Sequence, residues 1–162
     1  MAVQSNQVQT KTRSDVTLSD IKKLDYRFLY ELLKNRDQIA NISHQKMPTY
    51  IQHVKFVSSK PYTVWKIIYY KTKKVGSIYL TEGNEIGLHL KKEFQWKNIE
   101  KESLKILMQE NPGITFYANI SPKNVKLIEF YRKKGFKLVQ KSYELRLEEK
   151  DRNVSSEHGI KA

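Results

Sequence analysis

The apolar residues of this chain recur in two periods, and each change of period marks the boundary of an element. Val16 and Leu18 alternate with polar neighbours, which predicts a short strand. Phe28, Leu29, Leu32 and Leu33 then share one face of a helix that runs to about Asn35. Asp25 is its expected N-cap, with Leu24 and Leu29 as a hydrophobic staple. Tyr50, Ile51, Val54 and Val57 give a second helix over 49–57, ended before Ser58, Ser59 and Pro61. Period two takes over in the β-branched and aromatic stretches 62–70 and 75–80, joined by a polar turn over 71–74. Glu82-Gly83-Asn84 leads into a third strand over 85–90. Helical spacing returns after Asn98 with Ile99, Leu104, Ile106 and Leu107, and stops at Asn111-Pro112-Gly113.

The remainder reads as a strand over 114–120, a helix from Ser121-Pro122 (N-cap and N1) to a C′ glycine at Gly135, and one or two closing strands over 136–147. The order β, α, α, β, β, β, α, β, α, β, β predicts one α/β domain: a meander, a βαβ unit and a last helix–strand pair. Its expected limits are 14–147, between a polar N-terminal tail, 1–13, and a polar C-terminal tail, 148–162, neither with an apolar period.

Composition removes several function classes. The 162 residues include no cysteine, so a thiolate nucleophile, a disulfide scaffold and a sulfur-ligated zinc site are excluded. No other metal-ligand spacing is present, and no metal is expected. Apolar runs fall far short of the ~20 residues that span a bilayer. The polar start carries no signal-like apolar core, so a cytoplasmic protein without a membrane partner is expected. Charge adds the strongest bias: 30 Lys+Arg against 17 Asp+Glu leave +13, which favours anionic partners without choosing among nucleic acid, phosphorylated cofactors and acidic surfaces.

Two segments carry a resemblance. Glu85-Ile86-Gly87-Leu88-His89-Leu90-Lys91-Lys92-Glu93-Phe94-Gln95 runs from strand through loop towards a helix. Asn124-Val125-Lys126-Leu127-Ile128-Glu129-Phe130-Tyr131-Arg132-Lys133-Lys134-Gly135-Phe136 ends a helix on an aromatic pair and Gly-Phe. With the element order, they resemble the GNAT superfamily of acetyl-CoA-dependent N-acetyltransferases over nearly the whole domain. The resemblance implies a mixed, splayed β-sheet flanked by about four helices, acetyl-CoA as co-substrate, and direct attack of an acceptor amine on the thioester. The acyl carrier's arm would pair with the fourth strand at Leu88 and Leu90, and its pyrophosphate would sit in the loop from Gln95 through Trp96, Lys97, Asn98, Ile99 and Glu100 to Lys101. A helix start suits an anion because its N–H groups are unpaired and the dipole is positive there.

The loop departs from the family pattern glutamine/arginine-x-x-glycine-x-glycine/alanine. Gln95 matches; Asn98 and Glu100 stand for the glycines. Asn tolerates a left-handed backbone. Glu100 is the harder change, since a carboxylate ~6 Å from a phosphate oxygen costs about 3 kcal/mol at an effective dielectric of ~20. Two readings stay open: an adapted cofactor site relieved by the nearby lysines, or an ordinary helix start whose acids answer the dipole themselves.

Three residues could carry proton transfer. Tyr131 aligns with the family tyrosine that protonates the leaving group, and its bland alternative is a core aromatic beside Phe130. Glu85 and His89 are the candidate bases, placed with Gly87 on one strand face by alternation. Asn124 either contacts the cofactor or serves its own helix start. The polar stretch 36–47 resembles family members acting on nucleotide-linked amino sugars or on protein N-termini. The leading expectation is therefore an N-acetyltransferase acting on an amine as monomer or homodimer. A non-catalytic GNAT-fold binding module and a basic RNA- or ribosome-associated domain are the alternatives, the last without any RNP, KH or helix-turn-helix signature.

Overall fold

A computed structural model describes residues 14–36, 46–143 and 145. The described chain divides between Ile128 and Glu129 into two compact units. The first carries β1 (Val16–Asp20), α1 (Tyr26–Lys34), α2 (Tyr50–Ser58), β2 (Val64–Tyr70), β3 (Lys73–Leu80), β4 (Ile86–Leu90) and α3 (Ile99–Glu110); α4 (Val125–Lys133) begins in it. The strands form one antiparallel sheet in the order β1-β2-β3-β4.

The β-branched residues place the register. Ile67 faces Ser77 and Ile68 faces Gly76, with a bulge after Ile68, while Tyr79 faces Gly87 and Ser77 faces His89. Because neighbouring residues point to opposite faces, Ile67 joins Leu29 of α1 and Val57 of α2 in one core cluster. Ile68, Ile78 and Leu90 line the other face, where α3 packs along β1 and buries Ile99, Leu104 and Leu107. Each such side chain removed from water contributes about 1.5–3 kcal/mol.

Asp25 does not cap α1. Its carboxylate turns back to accept the Lys22 N–H at 2.8 Å and crosses to Lys74 Nζ of β3 at 2.6 Å, and Leu24 is 70% exposed, so no staple forms. The ammonium from across the sheet outcompetes the helix N–H groups as a partner for the carboxylate. The expected four-residue turn shortens to Lys71 and Thr72, since β3 already begins at Lys73, opposite Tyr70.

Thr49 caps α2 as a capping box with Gln52, but the buried stripe is His53 and Val57. Ile51, expected inside, is 69% exposed. In α4 the start moves from Ser121-Pro122 to Asn124, whose Oδ1 accepts the Leu127 N–H at 3.2 Å.

The stretch 114–120 is not a strand. It touches the sheet at a single parallel bridge, Glu85 with Tyr117.

The second unit is described by itself. Gly135, at φ 87°, lets its own N–H reach the Arg132 carbonyl and Phe136 N–H reach that of Tyr131, a Schellman ending of the helix as the sequence expects. The expected strands over 136–147 are absent from the described residues there, where Leu138, Val139 and Tyr143 are exposed. Positions 144, 146 and 147, the two tails and 37–45 lie outside the described residues.

Removing Asp25 should cost far more than removing Asp20, which pairs with Lys66 while 83% exposed. Asp25→Ala is expected to lose about 2–3 kcal/mol and Asp20→Ala at most about 1 kcal/mol, read as urea midpoints at constant m-value. Equal losses would contradict the role given to the buried carboxylate.

Candidate active site

The site grows from the free side of β4. Ile86 N–H donates to the Tyr117 carbonyl at 2.8 Å and Tyr117 N–H to the Asn84 carbonyl at 2.9 Å. Among the described residues no ladder continues beyond that point, so the outer edge of β4 past Gly87 offers the Leu88 N–H and C=O and the Leu90 N–H, while the Leu90 carbonyl is taken by the loop. This is the parting of strands that an extended ligand can fill by backbone hydrogen bonds.

On the face shared with α1 and α2, the site carries an aromatic cluster. Tyr62 and Tyr79 stack at 4.0 Å, and Trp65 lies edge-on to Tyr62 at 4.7 Å while its Nε1–H donates to Ser77 Oγ at 2.8 Å. Gly87 makes room: a Cβ there would fall inside the Tyr79 ring. An isolated glycine within a strand pattern was the available signal for such a close approach.

Burial, and secondarily Tyr79, pushes the Tyr62 phenol well above its ordinary value. Burial also draws the Arg36 guanidinium down, against the opposing pull of Tyr79 and Tyr62. His89 sits 6.0 Å from the Tyr79 ring. Desolvation, reinforced by the Arg36 charge, pushes it down to about 3.

The expected pair of bases therefore separates. His89 is neutral at physiological pH, and its low proton affinity makes it a poor acceptor of a proton from an ammonium. Glu85 is exposed just before β4, beside the bridge to Tyr117. Tyr131 belongs to the second unit, where it is buried with Phe130 and Phe136 edge-on at 5.3 and 5.0 Å. Asn124 Oδ1 accepts the Leu127 N–H of its own helix.

The β4–α3 loop keeps the shape of an anion cradle but fills it. Gln95 Nε2–H donates to the Leu90 carbonyl at 3.0 Å, tying the loop to the end of β4. Trp96 and Asn98 both adopt left-handed backbone, at φ 63° and 68°. Asn98 begins α3 without a side-chain cap. Glu100, 7% exposed, reaches back to accept the Trp96 N–H at 2.7 Å. The β4 edge fits an extended acyl carrier, whereas the loop with Glu100 in this position does not fit a pyrophosphate. Lysines gather outside it: Lys91 and Lys73 with Lys74 border an open recess of about 640 Å³ between α1 and the loop.

No family model and no curated protein matches the chain. Solved structures do. A domain from Methanocaldococcus jannaschii superposes with TM-score 0.70 at 23% identity, covering 82% of this chain and 94% of that one. An acetyltransferase from Thermus thermophilus gives 0.65 at 16%, covering 77% and 88%. Arabidopsis thaliana Naa50, in complex with the bisubstrate analogue CoA-Ac-MVNAL, gives 0.53 at 16%, covering 78% and 85%. The chain has the GNAT acetyltransferase fold. On that GNAT fold, the free edge of β4 and the β4–α3 loop are the two features of this chain that bear on a ligand.

His89 gives the fold a pH signature. The unfolded chain binds a proton at His89 near pH 6.5, while the folded chain refuses it until about 3, so stability is full above 6.5 and drains as pH falls through that window. His53, also lowered by burial, acts in the same direction. His89 contributes a slope of up to about 1.4 kcal/mol per pH unit. Denaturant titrations between pH 6.5 and 5 should show the slope, and His89→Gln should lessen it; an unchanged slope in the variant would contradict a neutral imidazole at His89.

Proposed function

We propose that the chain is an N-acyltransferase that moves an acetyl group from acetyl-CoA to a primary amine. The observation that carries this is the free edge of β4 beyond the Glu85–Tyr117 bridge, on a fold shared with acetyltransferases. The backbone of Leu88 and Leu90 would hold the carrier's arm, and the loop residues Gln95, Trp96, Lys97, Asn98, Ile99 and Lys101 would lie along its phosphates once Glu100 has moved aside. Acetyl-CoA, when bound, supplies the activated acyl group. Glu85 takes the proton of the acceptor's ammonium, being exposed beside the open edge. Tyr131 is the proton donor that the resemblance assigns. The aromatic pair Tyr62 and Tyr79 forms the wall on the acceptor side. In this reading the amine belongs to a nucleotide-linked amino sugar or a protein terminus, and the enzyme works in the cytoplasm as monomer or homodimer.

A second reading is favoured by one observation, the occupied loop. If Glu100 never leaves Trp96, the chain is a GNAT-fold binding module without turnover.

The absence of cysteine makes the test clean, because a thiol reagent then reports only CoA released from the donor. Incubation with acetyl-CoA and a panel of amines is expected to release thiol in an amine-dependent way. Tyr131→Phe should lower turnover about 100-fold with donor affinity held within about twofold. Equal turnover in the variant removes Tyr131 from proton transfer, and no release with any amine moves the binding-module reading to the front.

A further inference from the structure

The +13 chain places a carboxylate in the one loop where an anionic ligand would be expected. Glu100 is the second residue of α3, 93% buried by its 7% exposure, and bonded at 2.7 Å to the N–H of a left-handed Trp96. Trp96 and Asn98 are both left-handed, and the Trp96 N–H is directed at the carboxylate. Exposed Lys91, Lys92, Lys97 and Lys101 surround it.

We infer that Glu100 is a built-in anion that closes this loop against diphosphate ligands, so the chain binds a diphosphate-bearing molecule there only when the carboxylate is displaced. Three facts support it together. A carboxylate is seldom buried this far unless it is hydrogen-bonded; here its partner is a loop N–H. The bond closes on Trp96, four residues back, rather than on solvent. Glu102, the other acid of the first turn, makes no such contact among the described residues and stays half-buried. For coenzyme A the closure acts as a selectivity filter: the carrier's arm gains the β4 edge, but its diphosphate must compete with a tethered charge.

The inference relies on the acyltransferase reading only for the identity of the competing ligand. The test titrates the full chain with inorganic pyrophosphate and, separately, with coenzyme A by calorimetry, comparing wild type, Glu100→Ala, Glu100→Gln and the charge control Glu102→Ala. Glu100→Ala is expected to tighten both ligands about tenfold or more, and Glu102→Ala to leave each within about threefold. Equal tightening by the two variants would reduce the effect to net charge and overturn the inference. If Glu100→Ala fails to fold, Glu100→Gln and the Trp96 amide decide. Wild-type Trp96 N–H should exchange slowly with solvent, and exchange at the unprotected rate would overturn the proposal. Pyrophosphate tightening without any preference for coenzyme A would uphold the closed loop while defeating the acyl-CoA reading. Tight coenzyme A binding by wild type, unchanged in Glu100→Ala, would do the reverse.

Discussion

The bridge between Glu85 and Tyr117 is the contact on which the site depends. Up to that point the chain after α3 is held against the sheet by two backbone bonds, and beyond it β4 keeps its outer N–H and C=O groups without a ladder. Exposed edges of this kind are liabilities that proteins normally blunt with charge, proline or cover. Here the edge lies beside a stretch that has just parted from it, and carries Gly87, Leu88, His89 and Leu90, none of them acidic or basic at neutral pH. In the proposed function an extended ligand completes this uncharged edge.

Charge works against itself at the far end of the same strand. Lysines border the recess by α1 and the loop, yet within the loop itself the Trp96 N–H is held by a carboxylate, Glu100. A surface field of positive sign raises the local concentration of anions. Binding at the loop is a separate matter, decided by whether an incoming phosphate gains more from the N–H groups than the carboxylate loses. The GNAT fold therefore accounts for the β4 edge, and a single side chain of this sequence determines how the loop answers.

The sheet was legible because its signal is redundant: β2 and β3 are dense in β-branched and aromatic residues, and both faces are buried. The helix starts were less so. Asp25 had the right type and spacing for a cap, but local sequence cannot show an ammonium arriving from residue 74. The strand over 114–120 was expected from its apolar run, whereas pairing is a property of two segments, and the partner segment supplies only one bridge. At the site, a carboxylate where the family has a small residue was visible at Glu100, whereas its 2.7 Å bond to the Trp96 N–H was not. The depressed histidine at 89 was not legible at all, since it comes from desolvation in the fold and from the charge of Arg36, far away in sequence.

The most direct measurement of the central claim is hydrogen exchange at single-residue resolution over β4, with and without coenzyme A in excess. Slowed exchange at outward-facing amides within 87–90, with β2 unchanged, is the expected result. Bound ligand that protects amides elsewhere and leaves 87–90 at their free rates would contradict the assignment of the β4 edge as the site.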